Sequence, residues 1–180
     1  MYANGQGVKQ NMERAREWYQ RAFPNVPFQD IKSSFNKEVI KKLNELYKRA
    51  MEGSDPEAQS QLAEMYVSGQ GVKQNTDKAM EWYQRAFPKV PFEDITPPVN
   101  RENLKKLNEL YKRATEDNDP EAQSELGEMY ANGQDVKQNH KKAFEWCEKA
   151  ANLNHAEAQS QLAEMYASGQ GVEQNIDKAM

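Results

Sequence analysis

The chemically reactive side chains of this chain are few and poorly placed for one another. It has one cysteine, Cys147, and two histidines, His140 and His155. Cys147 and His140 stand seven residues apart on one expected helix, two turns or about 10 Å. That is too far for a nucleophile and its base to share a hydrogen bond, or for both to reach one metal ion at about 2.0–2.3 Å. Cys147 instead takes the apolar stripe position held by Tyr19 and Tyr83 in related segments, which predicts a small buried hydrophobe. His155 aligns with Asp55 and Asp119, so a helix-capping role is expected. No catalytic residue, metal site or cofactor is expected.

Three other patterns bear on recognition. Arg21-Ala22-Phe23-Pro24-Asn25-Val26-Pro27 and Arg85-Ala86-Phe87-Pro88-Lys89-Val90-Pro91 match a basic-x-x-Pro-x-x-Pro ligand of SH3-type domains. Both arginines fall in the last turn of an expected helix, which interrupts any polyproline II helix and favours a rigid structural crossover. Trp18, Trp82 and Trp146 with their neighbouring tyrosines could line an aromatic cage, but their helical spacing predicts core. Charge is segregated: residues 101–114 carry Arg101, Lys105, Lys106, Lys112 and Arg113 against Glu102 and Glu109, whereas residues 119–132 carry only Asp119, Glu121, Glu125 and Glu128. Attraction between consecutive helices is the simplest account, with partner steering beside it.

Bulk properties narrow the partner class. A formal net charge of −4 argues against a nucleic-acid binder, which needs a cationic surface to displace counterions. No apolar run approaches the length of a membrane span, so no membrane insertion is expected, and no signal-peptide pattern is present. One cysteine cannot form an internal disulfide, which leaves the compartment open.

The elements that position these residues are repeated. Met1-Tyr2, Met65-Tyr66, Met129-Tyr130 and Met165-Tyr166 are spaced by 64, 64 and 36 residues, and residues 1–64 match 65–128 at 44 of 64 positions. A single array is therefore expected over 1–180: a partial first repeat with an insertion (1–54), an expanded repeat (55–118), a plain repeat (119–154) and a partial last repeat (155–180).

Within one unit, Asp55-Pro56-Glu57 starts a helix, with a capping carboxylate, proline at the first helical position and an acid at the positive end of the dipole. Ala58, Leu62, Met65 and Tyr66 form its apolar face and Gly69 ends it, giving helix A over 56–68, with copies at 120–132 and 156–168. In the following loop Val72 is expected to plug the space between helices, and Asp135 to adopt the left-handed backbone of its counterpart Gly71. Asn75 caps helix B, where Ala79, Trp82, Tyr83, Ala86 and Phe87 make a second stripe before Pro88. In the plain repeat helix B, 140–152, runs straight into the next helix A. The longer units add 28 residues: the proline-punctuated segment 88–99, then helix C, capped by Asn100, with Leu104, Leu107, Leu110, Tyr111 and Ala114 on one face. The first copy has Ile40, Leu43, Leu46, Tyr47 and Ala50 there. A dozen extended residues are long enough to run back along helix B, so helix C takes over its junction with the next helix A. Phe28, Ile31, Phe92 and Ile95 are expected to pack that segment down.

Leu62 to Tyr66, Gly69 to Val72 and Lys78 to Ala86, and again Leu126 to Ala150, resemble the Sel-1-like repeat, a relative of the tetratricopeptide repeat. The resemblance covers every A–B pair but not the 28-residue insertions. It implies an all-α fold, an α-solenoid of helical hairpins, and a non-catalytic scaffold or adaptor for a protein or peptide partner. Attachment to a catalytic domain elsewhere, or a purely structural spacer, are the alternatives. In such a stack the A helices line the concave side. With Leu62 facing the core, Ser60, Glu64 and Val67 fall opposite, as do Ser124, Glu128, Ala131, Ser160, Glu164 and Ala167, and these form the expected partner face. Met1 and Met180 both fall inside repeat units, so both ends are expected to be cut from a longer array. Ala15, Trp18, Tyr19, Leu162, Met165 and Tyr166 are then exposed, and end-to-end self-association is expected.

Overall fold

The computed structural model describes residues 12–31, 36–96 and 100–179. The expectations that concern Met1, Tyr2, Pro97 to Val99 and Met180 lie outside these. The described residues form helices α1 (Met12–Ala22), α2 (Lys37–Glu52), α3 (Pro56–Ser68), α4 (Thr76–Ala86), α5 (Arg101–Thr115), α6 (Pro120–Asn132), α7 (His140–Asn152), α8 (Ala156–Ser168) and α9 (Ile176–Ala179), with 3-10 turns at Phe28–Asp30 and Phe92–Asp94. The fold is an all-α solenoid of helical-hairpin repeats. Its helices gather into two compact units, one ending at Ala86 and the other starting at Phe87.

Local chemistry sets the helix ends. Asp55 Oδ1 accepts from the N–H groups of Glu57 and Ala58 at 2.9 and 3.3 Å, and Asp119 repeats this for Glu121 and Ala122. At α8 the Nδ1 of His155 takes the same role for Ala158 at 3.3 Å, which makes this histidine a cap. Gly69, Gly133 and Gly169 end the three A helices with φ of 67°, 72° and 74°. Asp135, at φ 60°, keeps the left-handed backbone of its glycine counterpart. The A helices and α7 have the bounds expected from their caps and stripes.

In the first unit α2 packs on α3 and α3 on α4; in the second, α5 to α9 pack each on the next. Helix A is buried on more than its leucine stripe: in α3, Ala58, Gln59, Ser60, Leu62, Ala63, Met65 and Tyr66 are all buried. A helix with one neighbour before it and another after it hides a wide arc. Val72 and Val136 are fully buried plugs, as expected.

Each C-to-A or B-to-A junction is closed by a glutamine. Gln59, Gln123 and Gln159 donate their Nε2 to the carbonyls of Ala50, Ala114 and Ala151 at 3.0–3.2 Å, serving acceptors that a helix C-terminus leaves open. Arg49 and Arg113 fork onto the capping carboxylates of Asp55 and Asp119, so the segregated charges of helices C and A do pair.

Three expectations about the aromatic and apolar stripes need correction. Trp82 is buried and Trp146 half-buried; Trp18 is 56% exposed, which removes it from the core stripe and agrees with its expected exposure at that end of the array. Tyr47 packs edge-on against Trp82 and Tyr111 against Trp146, each from 35 positions earlier. Tyr19, expected to be exposed, is buried against the rings of Phe23 and Phe28. Met165, likewise expected at the surface, is buried.

Candidate functional site

The inserted segment ends in a buried carboxylate. In the first unit the 3-10 turn after Pro27 carries Asp30, 7% exposed, to the hydroxyl of Tyr66 on α3, which donates to it at 2.6 Å. Tyr66 has one proton to give, so the 2.5 Å contact with Tyr47 on α2 is a donation from Tyr47. Lys78 at the start of α4 closes the other side with Nζ at 2.6 Å from both carboxylate oxygens, and lies 5.7 Å from the centre of the Tyr66 ring. The second unit repeats the set: Tyr130 donates to Asp94 at 2.5 Å, its hydroxyl lies 2.6 Å from that of Tyr111, and Lys142 pairs with Asp94.

Backbone contacts complete each lock. Lys73 N–H donates to the Asp30 carbonyl at 2.6 Å, and Ile31 forms an antiparallel bridge with Val72. Lys137 N–H and the Asp94 carbonyl, with Ile95 and Val136, do the same. Asn44 and Asn108, in the middle of the C helices, accept from the N–H groups of Asn25 and Lys89 at 3.1 and 3.0 Å. The insertion is thus tied to helix C and to the loop of the following repeat. It touches helix B where Phe28 packs on Tyr19 with ring centres 5.6 Å apart. Val26 and Val90 are buried, which fits a structural crossover.

Burial sets the electrostatics. It pushes the hydroxyls of Tyr47 and Tyr111 up to about 12, and raises those of Tyr66 and Tyr130 further because each also donates to a carboxylate. For Asp94 burial favours the neutral acid, but hydrogen bonds from Lys142 and Tyr130 outweigh it and hold the carboxyl below its usual range. Sequence reasoning missed Asp30 and Asp94. The available clue was Pro-Phe-x-Asp-Ile in both insertions, with a charged residue buried among apolar ones.

Beside the lock in the second unit lies a groove of about 690 Å³ between α5 and α6. Asn103, Lys106, Leu107, Glu109, Leu110 and Arg113 form one wall, and Glu125, Glu128, Met129 and Asn132 the other, with Gln134 and Asp135 at the end. Four carboxylates face two cations there. Glu128 also accepts from Gln161 on α8 at 2.6 Å, which links neighbouring A helices.

Of the residues expected on the partner face, Glu128 lines this groove. Glu64, Val67, Ser160, Glu164 and Ala167 are exposed and Ala131 is half-buried. Ser60 and Ser124 are buried, and Ser60 donates back to the Glu57 carbonyl at 3.0 Å. The face that lines the groove is turned by one residue, to Glu125, Met129 and Asn132, because the preceding helix C covers the flank that a single leucine stripe left open.

The residues tested for chemistry do not converge. Cys147 is 3% exposed, its Sγ donates to Gln161 Oε1 at 3.2 Å, and burial pushes its thiol up to about 11, which leaves it protonated and unreactive at neutral pH. Among the described residues no group of three or more His, Cys, Asp or Glu is arranged to hold a metal ion. No helix among them is long and apolar enough to cross a membrane. Arg21 and Arg85 sit in the last turns of α1 and α4, over the rings of Trp18 and Trp82 at 4.9 and 4.8 Å.

The family model described as Sel1 repeat matches residues 1–23, 56–87, 120–155 and 156–180. The chain is similar to the Sel1 repeat protein from Oxalobacter formigenes at 28% identity, over 77% of this chain and 83% of that one, with a TM-score of 0.33. It is also similar, at 25% identity and a TM-score of 0.35, to c5321, a protective antigen of uropathogenic Escherichia coli strains with an SLR fold; the match covers 99% of this chain and 34% of that one. Among curated proteins none matches. The four family matches take in each A–B pair and stop short of the insertions, and on that footing the chain belongs to the Sel1 repeat family.

Proposed function

We propose that this chain is a non-catalytic docking array, and that the groove between α5 and α6 receives an extended protein segment bearing basic side chains. Sel1 repeat proteins generally mediate protein–protein interaction. The observation that carries the finer reading is the groove itself: its size suits a few side chains, its floor includes Leu107, Leu110 and Met129, and carboxylates outnumber cations on its walls. Apolar floor supplies affinity and the acidic rim supplies selectivity for cations. Exposed Glu164 on α8 extends the same acidic row.

Peptide display on the immobilised chain tests this. Enrichment of sequences pairing an apolar anchor with lysine or arginine, lost in Glu125→Lys/Glu128→Lys, supports it. Selected peptides without basic residues, or binding indifferent to the two reversals, refute it.

A further inference from the structure

Each insertion is a ligand built into the chain, and its receptor occurs once more without one. At the last loop Asn175 N–H donates to the Tyr166 carbonyl at 2.8 Å, as Asn75 and Asn139 do to Tyr66 and Tyr130. Gln174 Nε2 donates to the Ala167 carbonyl at 2.8 Å, as Gln74 and Gln138 do to Val67 and Ala131. Lys178 Nζ lies 5.2 Å from the centre of the Tyr166 ring, against 5.7 and 5.4 Å for its counterparts. Loop, tyrosine and lysine therefore hold the receptor shape with no carboxylate between them. The α7–α8 connection is a short turn without an insertion, so no Phe-x-Asp-Ile segment precedes α8 as one precedes α3 and α6, and α7 meets this edge through the packing of Phe144 on the Tyr166 ring and of His140 against Gly171. Among the described residues the Tyr166 hydroxyl, Lys178 Nζ and Glu173 N–H have no hydrogen-bond partner, and Tyr166 and Val172 are half-buried where Tyr66, Tyr130, Val72 and Val136 are at most 1% exposed.

We propose that the edge formed by Tyr166, Val172 and Lys178 is a second docking site, separate from the α5–α6 groove, that takes in trans a Phe-(Gln/Glu)-Asp-Ile segment of another protein. The aspartate accepts from Tyr166 and pairs with Lys178, its carbonyl accepts from Glu173 N–H, and the isoleucine bridges Val172, as Asp30 and Ile31 do at their own receptor. Three replacements tune the site. Phe144 and Cys147 stand where α5 offers Asn108 and Tyr111, so a bound segment finds no asparagine acceptor for its N-terminal end, and Tyr166 lacks a second tyrosine. Glu173 replaces Lys73 and Lys137, and Lys137 donates to the Glu93 carbonyl at the filled receptor.

A synthetic peptide of residues 89–96, blocked at both ends, is the probe, titrated by calorimetry and by the NMR shift of the Glu173 amide. We expect one saturable site below about 1 mM, a loss of about tenfold or more on Asp→Asn in the peptide or Lys178→Ala in the chain, a smaller loss for Tyr166→Phe, and tighter binding for Glu173→Lys. Unchanged circular dichroism checks that the variants fold. No binding at 1 mM, or binding indifferent to the peptide aspartate and to Lys178, overturns the proposal. Self-association of the chain that Lys178→Ala abolishes, with no peptide binding, assigns the edge to a second copy and overturns it too.

Discussion

Asp94→Ala removes the carboxylate on which the second lock closes. Asp94 is 9% exposed and Tyr130, which donates to it, is 1% exposed, so the orphaned hydroxyl cannot turn to water and keeps only its contact with Tyr111. Lys142 retains 35% of its side-chain surface and rehydrates, so its share is discounted. One buried charge-assisted hydrogen bond is worth about 1.5–3 kcal/mol, and with a reduced ion-pair contribution the loss comes to about 2–4 kcal/mol. For a chain of this size that lowers Tm by about 4–16 °C. Urea unfolding followed by far-UV circular dichroism, fitted so that repeats can melt separately, measures it. Lys142→Met should cost less than Asp94→Ala. The acid limb has a definite sign: the folded carboxyl lies below its ordinary value, so its stabilisation is complete above about pH 4 and is lost as pH falls through the folded value. Between pH 5 and 3 the variant should therefore lose less stability than the parent. A cost under about 0.5 kcal/mol, or a lysine variant worse than the aspartate variant, refutes the reasoning.

Three further outcomes are expected. Trp82→Ala should cost about 3–5 kcal/mol and Trp18→Ala under about 1, read by thermal melts, because only the first is buried. Ser54 sits at φ 46° where its counterparts are Asn118 and Asn154, so Ser54→Asn should stabilise by about 0.5–1 kcal/mol, checked by chemical denaturation. Tyr47 and Tyr111 are pushed up to about 12, so the stability they confer is complete below about pH 10 and is lost as pH rises toward 12. Absorbance at 295 nm should then show these tyrosines ionising together with unfolding rather than before it.

Helix bounds were legible because they are local events: Asp55, Asp119, Gly69 and Asn100 cap or end their helices by contacts within a few residues. The stripe of helix C was legible for the same reason. The locks were not, since Asp30 meets Lys78 across 48 positions and only the fold brings them together. Nor did a single period show that helix A is flanked on both sides, which put Ser60 and Ser124 on the wrong face.

Whether each insertion is an integral part of its repeat is decided most directly by amide hydrogen exchange at single-residue resolution. Lys73 and Lys137, whose N–H groups donate to the inserted aspartates at 2.6 Å, should be protected although they lie in loops, and amides 104–114 of α5 should exchange as slowly as those of α6. Exchange of those two lysine amides and of α5 at the rate of an unfolded peptide, with α6 and α7 still protected, contradicts the account.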